Sequence, residues 1–166
     1  MTDEAVPWLD ATELRTWTAL VGMLEALPAA LNAQLRSEAG LNLFEYTILV
    51  GLSDAPAWTR AFGDLSTFAC GSASRMSHAL GRLEGRGWIE RAPHPDGGRA
   101  LVVTLTDAGH EALVAIAPGH VREVRRRVLD PLTAEQVQEL GEIARRLVGA
   151  SNPELAAMLQ EREEQE

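Results

Sequence analysis

Apolar residues recur with a helical period over most of the chain. Leu14, Trp17, Leu20, Val21, Leu24, Leu27, Leu31 and Leu35 predict one long amphipathic helix. Asp10 and Glu13 resemble a capping box with Asp in place of Ser or Thr, and Leu9 and Leu14 occupy the staple positions. Residues 1–8 ahead of it are expected to fray. Pro28 predicts a kink or a division of the helix, and Gly40 its end. Asn42 and Glu45 form the next cap, and Phe44, Ile48, Leu49 and Leu52 give a short buried helix that Asp54-Ala55-Pro56 breaks. Residues 60–70 read as a third helix with Leu65, Phe68 and Ala69 inward.

The stretch from Ser72 to Thr106 changes character. Met76, Ala79, Leu80 and Leu83 lie at i, i+3, i+4 and i+7, so one helical face is apolar. The other face carries Ser74, Arg75, Ser77, His78 and Arg82, with no acidic residue. Gly85 or Gly87 provides a left-handed stop. Trp88 to Arg91 and Arg99 to Thr106 then read as two strands around a turn containing Asp96-Gly97-Gly98. Two short helices meeting at a sharp turn, the second with a polar face, followed by a hairpin, form the pattern of a winged helix-turn-helix.

Beyond it, Thr106 begins a second long helical region, which Pro118-Gly119 is expected to bend or break and Pro131 to end. Thr133 and Gln136 cap a last helix with Val137, Leu140, Ala144, Leu147 and Val148 on one face. The long helices at the two ends bear more apolar surface than one small domain covers. That points to a partner subunit, with a plain core role as the alternative. Residues 151–166 form an acidic tail, five Glu against Arg162; the composition fits disorder or a single helical turn through Leu155, Met158 and Leu159.

Composition narrows the reading. The 166 residues suit one domain, and no apolar run approaches the ~18 residues of a membrane span. Asp3 and Glu4 stand where a secretory leader would be basic, so a cytoplasmic protein is expected. The net charge of −9 opposes nucleic-acid binding at first sight, but it is unevenly spread. Residues 71–103 hold five arginines against three acids, a local +2 that leaves −11 for the rest. Contacts made at the phosphates dominate binding, so the local balance counts for more.

The run Arg75-Met76-Ser77-His78-Ala79-Leu80, then Arg82-Leu83-Glu84, then Arg86-Gly87-Trp88-Ile89-Glu90-Arg91 resembles the multiple-antibiotic-resistance regulator (MarR) family of bacterial transcription factors. Leu105-Thr106-Asp107-Ala108-Gly109, Ala117-Pro118-Gly119-His120-Val121 and Asp130-Pro131-Leu132-Thr133 extend the resemblance over roughly residues 10–148. It implies a mainly α fold with a small β-wing. Residues 10–39 and 107–148 would form a helical dimerisation lobe, 41–106 the winged helix-turn-helix, and 151–166 the acidic tail. It implies a homodimer that binds inverted repeats in double-stranded DNA, a regulator and specifically a repressor released by a small-molecule effector. One departure concerns the wing: Gly97 stands where the family usually places the Asp that braces the turn against the arginine at 99.

Within that scheme the DNA-facing residues are Ser72, Ser74, Arg75, Ser77, His78, Arg82 and Arg99. Arg75 suits guanine O6 and N7 through two parallel donors, or else a phosphate; Arg82, further along, suits a phosphate; Arg99 suits the minor groove or its phosphates. Trp17 and Phe44 are candidate lining residues of an effector pocket. Cys70 reads as a packed structural thiol, with redox sensing beside a helix N-terminus as the lesser alternative. No Gly-rich phosphate loop or Ser/His/Asp set stands in a catalytic context, no cofactor is implied, and the four histidines lack metal-ligand spacing; His110 and His120 remain a pair that folding could bring together. The competing reading is a winged-helix protein-interaction module without specific DNA binding, which the acidic total charge favours and the non-acidic helix face opposes.

Overall fold

The computed structural model describes residues 6–95 and 101–164. Helix α1 spans Ala11–Ala39, and Asp10 caps it in a complete box: its side chain accepts from the Thr12 and Glu13 amides while Glu13 accepts from the Asp10 amide. The helix continues through Pro28 as one element, so the expected division does not occur. Proline removes a single hydrogen bond from a ladder of 29 residues, and the turns on either side continue it. Gly40, at φ 63°, supplies the left-handed cap.

Helix α2, Leu43–Ser53, opens with the Asn42/Glu45 capping box. A 3-10 turn at Pro56–Trp58 leads into strand β1, Thr59–Ala61, and helix α3, Phe62–Phe68. The third helix is therefore shorter than expected, because its first residues are taken by the sheet. Helix α4, Ala73–Gly85, follows a turn in which Cys70 is left-handed (φ 50°). Strands β2, Ile89–Pro93, and β3, Leu101–Leu105, pair antiparallel with Ile89 opposite Leu105. β1 adds to the far edge of β3 with Thr59 opposite Thr104, and their hydroxyls lie 2.9 Å apart.

Helix α5, Asp107–Val124, passes through Pro118-Gly119 without a break and runs into a π-helical turn at Arg125–Leu129. The pair expected to bend or break the helix lies where α5 passes close to α1. Gly119 is buried, and a Cβ there would overlap the Glu38 carboxylate and stand 3.3 Å from Gln34 Nε2. Helix α6, Ala134–Ser151, carries the Thr133/Gln136 capping box. Within the acidic tail, Pro153–Glu163 forms a continuous helix, α7, rather than a single turn, and Asn152 caps it. It packs on α6 and α3, and Arg162 pairs with Asp54 at 2.8 Å.

The core lies in the segment from Leu35 to Leu113. Leu35, Ile48, Leu49, Leu65, Met76, Leu80, Leu83 and Val103 form one buried cluster. Outside it the protomer is thinly covered. Of α1 only Leu31 and Leu35 are buried, and of α6 nothing is. Leu9 and Leu14, at the staple positions, are both exposed. No helix among the described residues is long and apolar enough to cross a membrane.

Candidate nucleic-acid interface

Helix α4 is fixed by its apolar side. Met76, Ala79, Leu80 and Leu83 are fully buried, which leaves Ser74, Arg75, Ser77, His78 and Arg82 exposed together on the other side. Ser72 is the N-cap; its hydroxyl accepts from the Arg75 amide at 3.3 Å. Ahead of it, Gly71 is required by packing, because a Cβ would overlap the end of the Phe44 ring.

The two arginines of α4 meet the first turn of α2. Arg75 lies over the Phe44 ring, 4.0 Å from its centroid. Arg82 donates from Nε to Glu45 Oε1 in an ion pair whose carboxylate is buried and whose guanidinium is half exposed. Glu45 thus serves two groups at once, since its other oxygen accepts from the Asn42 amide at 2.9 Å. Sequence reading found the cap and missed the pair, which spans 37 residues and has no local signature. Arg82, expected at a phosphate, thus also holds an ion pair within the protein.

The other arginines near α4 are also engaged. Arg86 donates to the carbonyls of Ala39 (3.3 Å) and Gly40 (2.8 Å), where α1 ends, and its guanidinium sits 4.9 Å from the Trp88 ring. Such a cation satisfies orphan carbonyls at a helix C-terminus. Arg91 is bound to Glu84 through both Nε and Nη2. That hydrogen bond holds the Glu84 carboxyl below its ordinary pKa and raises that of Arg91. Among the described residues of α4, Arg75 is the arginine without a carboxylate partner. Arg99, with the Asp96/Gly97 departure, lies outside the described residues, in the sequence joining β2 to β3.

Trp17 and Phe44, the expected pocket-lining pair, differ in burial. Phe44 is buried in the core beneath Arg75, whereas Trp17 is 53% exposed on α1. A cleft of about 420 Å³ lies elsewhere, between the end of α1, Trp88 and α5, lined by Glu38, Ala39, Ala112, Ile116, Gly119 and Arg122 among others. Near it His120 packs on the Tyr46 ring at 4.3 Å, and its Nδ1 is buried without a hydrogen-bond partner. Burial pushes the His120 pKa down and that of Tyr46 up. His110 stacks on Trp58 instead, at 4.3 Å and 13°, so the two histidines of α5 face different aromatic rings. Cys70 is exposed rather than packed, in a left-handed backbone conformation, and Ala69 takes the buried position.

Comparison with known proteins agrees with this geometry. Residues 41–101 match the family model described as MarR family. The chain is similar to Sco3205, a MarR family transcriptional regulator from Streptomyces coelicolor solved in complex with DNA. The two are 37% identical over 91% of this chain and 94% of that one, with a TM-score of 0.85. It is also similar to AbsC, a MarR family transcriptional regulator from the same organism: 34% identity over 86% and 98% of the two chains, TM-score 0.77. The PcaV transcriptional regulator of that organism, solved with its natural ligand, shares the fold at 19% identity over 87% and 99% of the chains, TM-score 0.71. No curated protein sequence matches the chain.

Proposed function

Since the chain belongs to the MarR family of DNA-binding transcriptional regulators, we propose that it acts as a homodimer reading an inverted repeat in double-stranded DNA. One observation carries the reading. Helix α4 stands on four buried residues and presents Ser74, Arg75, Ser77 and His78 outward from its N-terminal half, the part that a helix-turn-helix inserts into a major groove. Arg75 supplies base contact there through its two-pronged guanidinium, and the short serines suit phosphates or either base type. Ser72 caps the helix, and its position at the N-terminus suits a phosphate. Arg99 contributes a further contact to the minor groove or its phosphates. That Sco3205, 37% identical, was solved in complex with DNA supports DNA binding as such.

Residues 41–106 make the DNA-binding lobe in this proposal, and 10–39 with 107–148 the dimerisation lobe, through the apolar faces of α1 and α6 that the protomer leaves exposed. Within the acidic tail, α7, Pro153–Glu163, serves as a helical brace between α6 and α3. The protein is a repressor, and a small-molecule effector in the cleft beside Trp88 and Gly119 releases it. The ligand-bound PcaV structure, of the same fold, is the precedent.

The test is a binding titration of the purified dimer with duplex DNA from upstream of its own gene and with random duplex, over a range of salt. Sequence-specific, salt-dependent binding is expected. Equal and weak affinity for both duplexes would return the chain to the class of protein-interaction modules.

A further inference from the structure

The recognition helix carries two arginines, but they stand in different electrostatic states. Arg75 rests on an aromatic face and keeps its charge unopposed by any carboxylate among the described residues. Arg82 is tied through Nε to Glu45, the one buried charged residue of the described chain. The Arg82 side chain is 56% exposed and that of Glu45 5%. The asymmetry decides which partner holds the other. A carboxylate taken out of water must be paired, and stripping its partner leaves an uncompensated buried charge. Arg82 cannot leave for a phosphate without that penalty, and while it stays, the carboxylate beside it cancels most of its attraction for DNA.

Resting on the DNA-binding reading above, we propose that Glu45 is a specificity-determining positioning residue: it withholds the charge of Arg82 from the DNA backbone. The sequence-independent part of binding then falls, and Arg75 is left as the uncompensated guanidinium of the helix. Non-specific affinity comes from phosphates neutralised by cations, each adding ~0.9 to the salt slope on B-DNA. Specificity is a difference of affinities, and it is gained as well by weakening the wrong complex as by strengthening the right one. In an acidic protein this device adds no positive charge that competing DNA could exploit.

The proposal predicts an unusual sign. Glu45→Gln keeps the capping box, because Gln serves at that position as well as Glu, so α2 retains its start. It removes the anion and frees Arg82. Binding of the variant to random duplex should tighten roughly threefold to tenfold at ~0.15 M salt, and its salt slope should steepen by ~1. The ratio of specific to random affinity should fall. Arg82→Gln alone should leave the salt slope of the wild type unchanged, and Glu45→Gln with Arg82→Gln should restore the wild-type slope. A merely structural pair would behave otherwise: Glu45→Gln would weaken binding to both duplexes without steepening the slope, and that result overturns the proposal. So does a slope lowered by ~1 in Arg82→Gln, which would make Arg82 an ordinary phosphate clamp. Wild-type protein with no preference between the two duplexes would instead overturn the DNA-binding reading itself, so the two failures are distinguishable.

Discussion

Phe44 lies directly against Gly71: a Cβ at position 71 would stand 2.7 Å from Cε2 of the ring and nearer still to its tip. The ring is buried and is covered on another side by the Arg75 guanidinium, so it has little room to move. Gly71→Ala should therefore cost about 1–3 kcal/mol through overpacking. Gly119→Ala makes a useful contrast. The atoms it meets first belong to Glu38, an exposed flexible side chain, and Ala favours the interior of α5 by up to ~1 kcal/mol. Urea denaturation should show Gly71→Ala clearly destabilised and Gly119→Ala within about 1 kcal/mol of wild type. Equal losses would mean that α1 cannot yield at Glu38.

The apolar faces of α1 and α6 give the second prediction. Trp17, Leu24, Ile143 and Leu147 are each about half exposed in the protomer, on helices that contribute little to its own core. Dimer interfaces of intertwined helices commonly bury ~2,000 Å² or more. Sedimentation equilibrium at micromolar concentration should give twice 18.0 kDa, and Ile143→Glu with Leu147→Glu should shift the mass toward the monomer with loss of DNA binding. A wild-type species that stays at 18.0 kDa would remove the dimer from the proposal.

Sequence periodicity located these faces because it is a local property. The same holds for the caps at Asp10/Glu13, Asn42/Glu45 and Thr133/Gln136, each written within four residues. What escaped was non-local. Thr59–Ala61 is too short to show alternation and is a strand only because Val102–Thr104 pair with it. The Pro153–Glu163 helix has a composition that fits disorder; its anchors, Asp54 and Thr67, lie far away in sequence. Glu45 was legible as a cap and not as the partner of Arg82, and Cys70 is exposed at a left-handed backbone position that its residue type does not announce.

His120 predicts a pH dependence. Burial against Tyr46 lowers its pKa from the ordinary ~6.5, and its Nδ1 has no hydrogen-bond partner. The folded chain then binds fewer protons at this site than the unfolded chain. Its contribution to stability is full above pH ~6.5 and is lost as pH falls through the lowered folded pKa. Urea midpoints measured at about pH 7.5 and about pH 5 should drop less for His120→Gln than for wild type. An identical drop in the two proteins would place the acid sensitivity on other groups.

Arg75 yields the sharpest test of base readout. Its guanidinium is planar, and the Phe44 ring beneath it at 4.0 Å restricts the orientations it can take. A donor fork held this way loses less freedom on pairing with guanine O6 and N7 than one on a free stem. Arg75→Ala should cost ~1–3 kcal/mol at one base position of each half-site and flatten the preference there. Arg75→Lys keeps the charge but lacks the fork, so it should recover affinity on random duplex without recovering the base preference. Phe44→Leu keeps the site apolar and removes the ring, so part of the same preference should go at the same position. Affinities for all four bases at each position, at one salt concentration, separate these outcomes. A uniform loss in Arg75→Ala, fully rescued by Lys, would make Arg75 a phosphate contact; sequence preference would then have to come from Ser74, Ser77 and His78, the remaining exposed side chains in the N-terminal half of the helix.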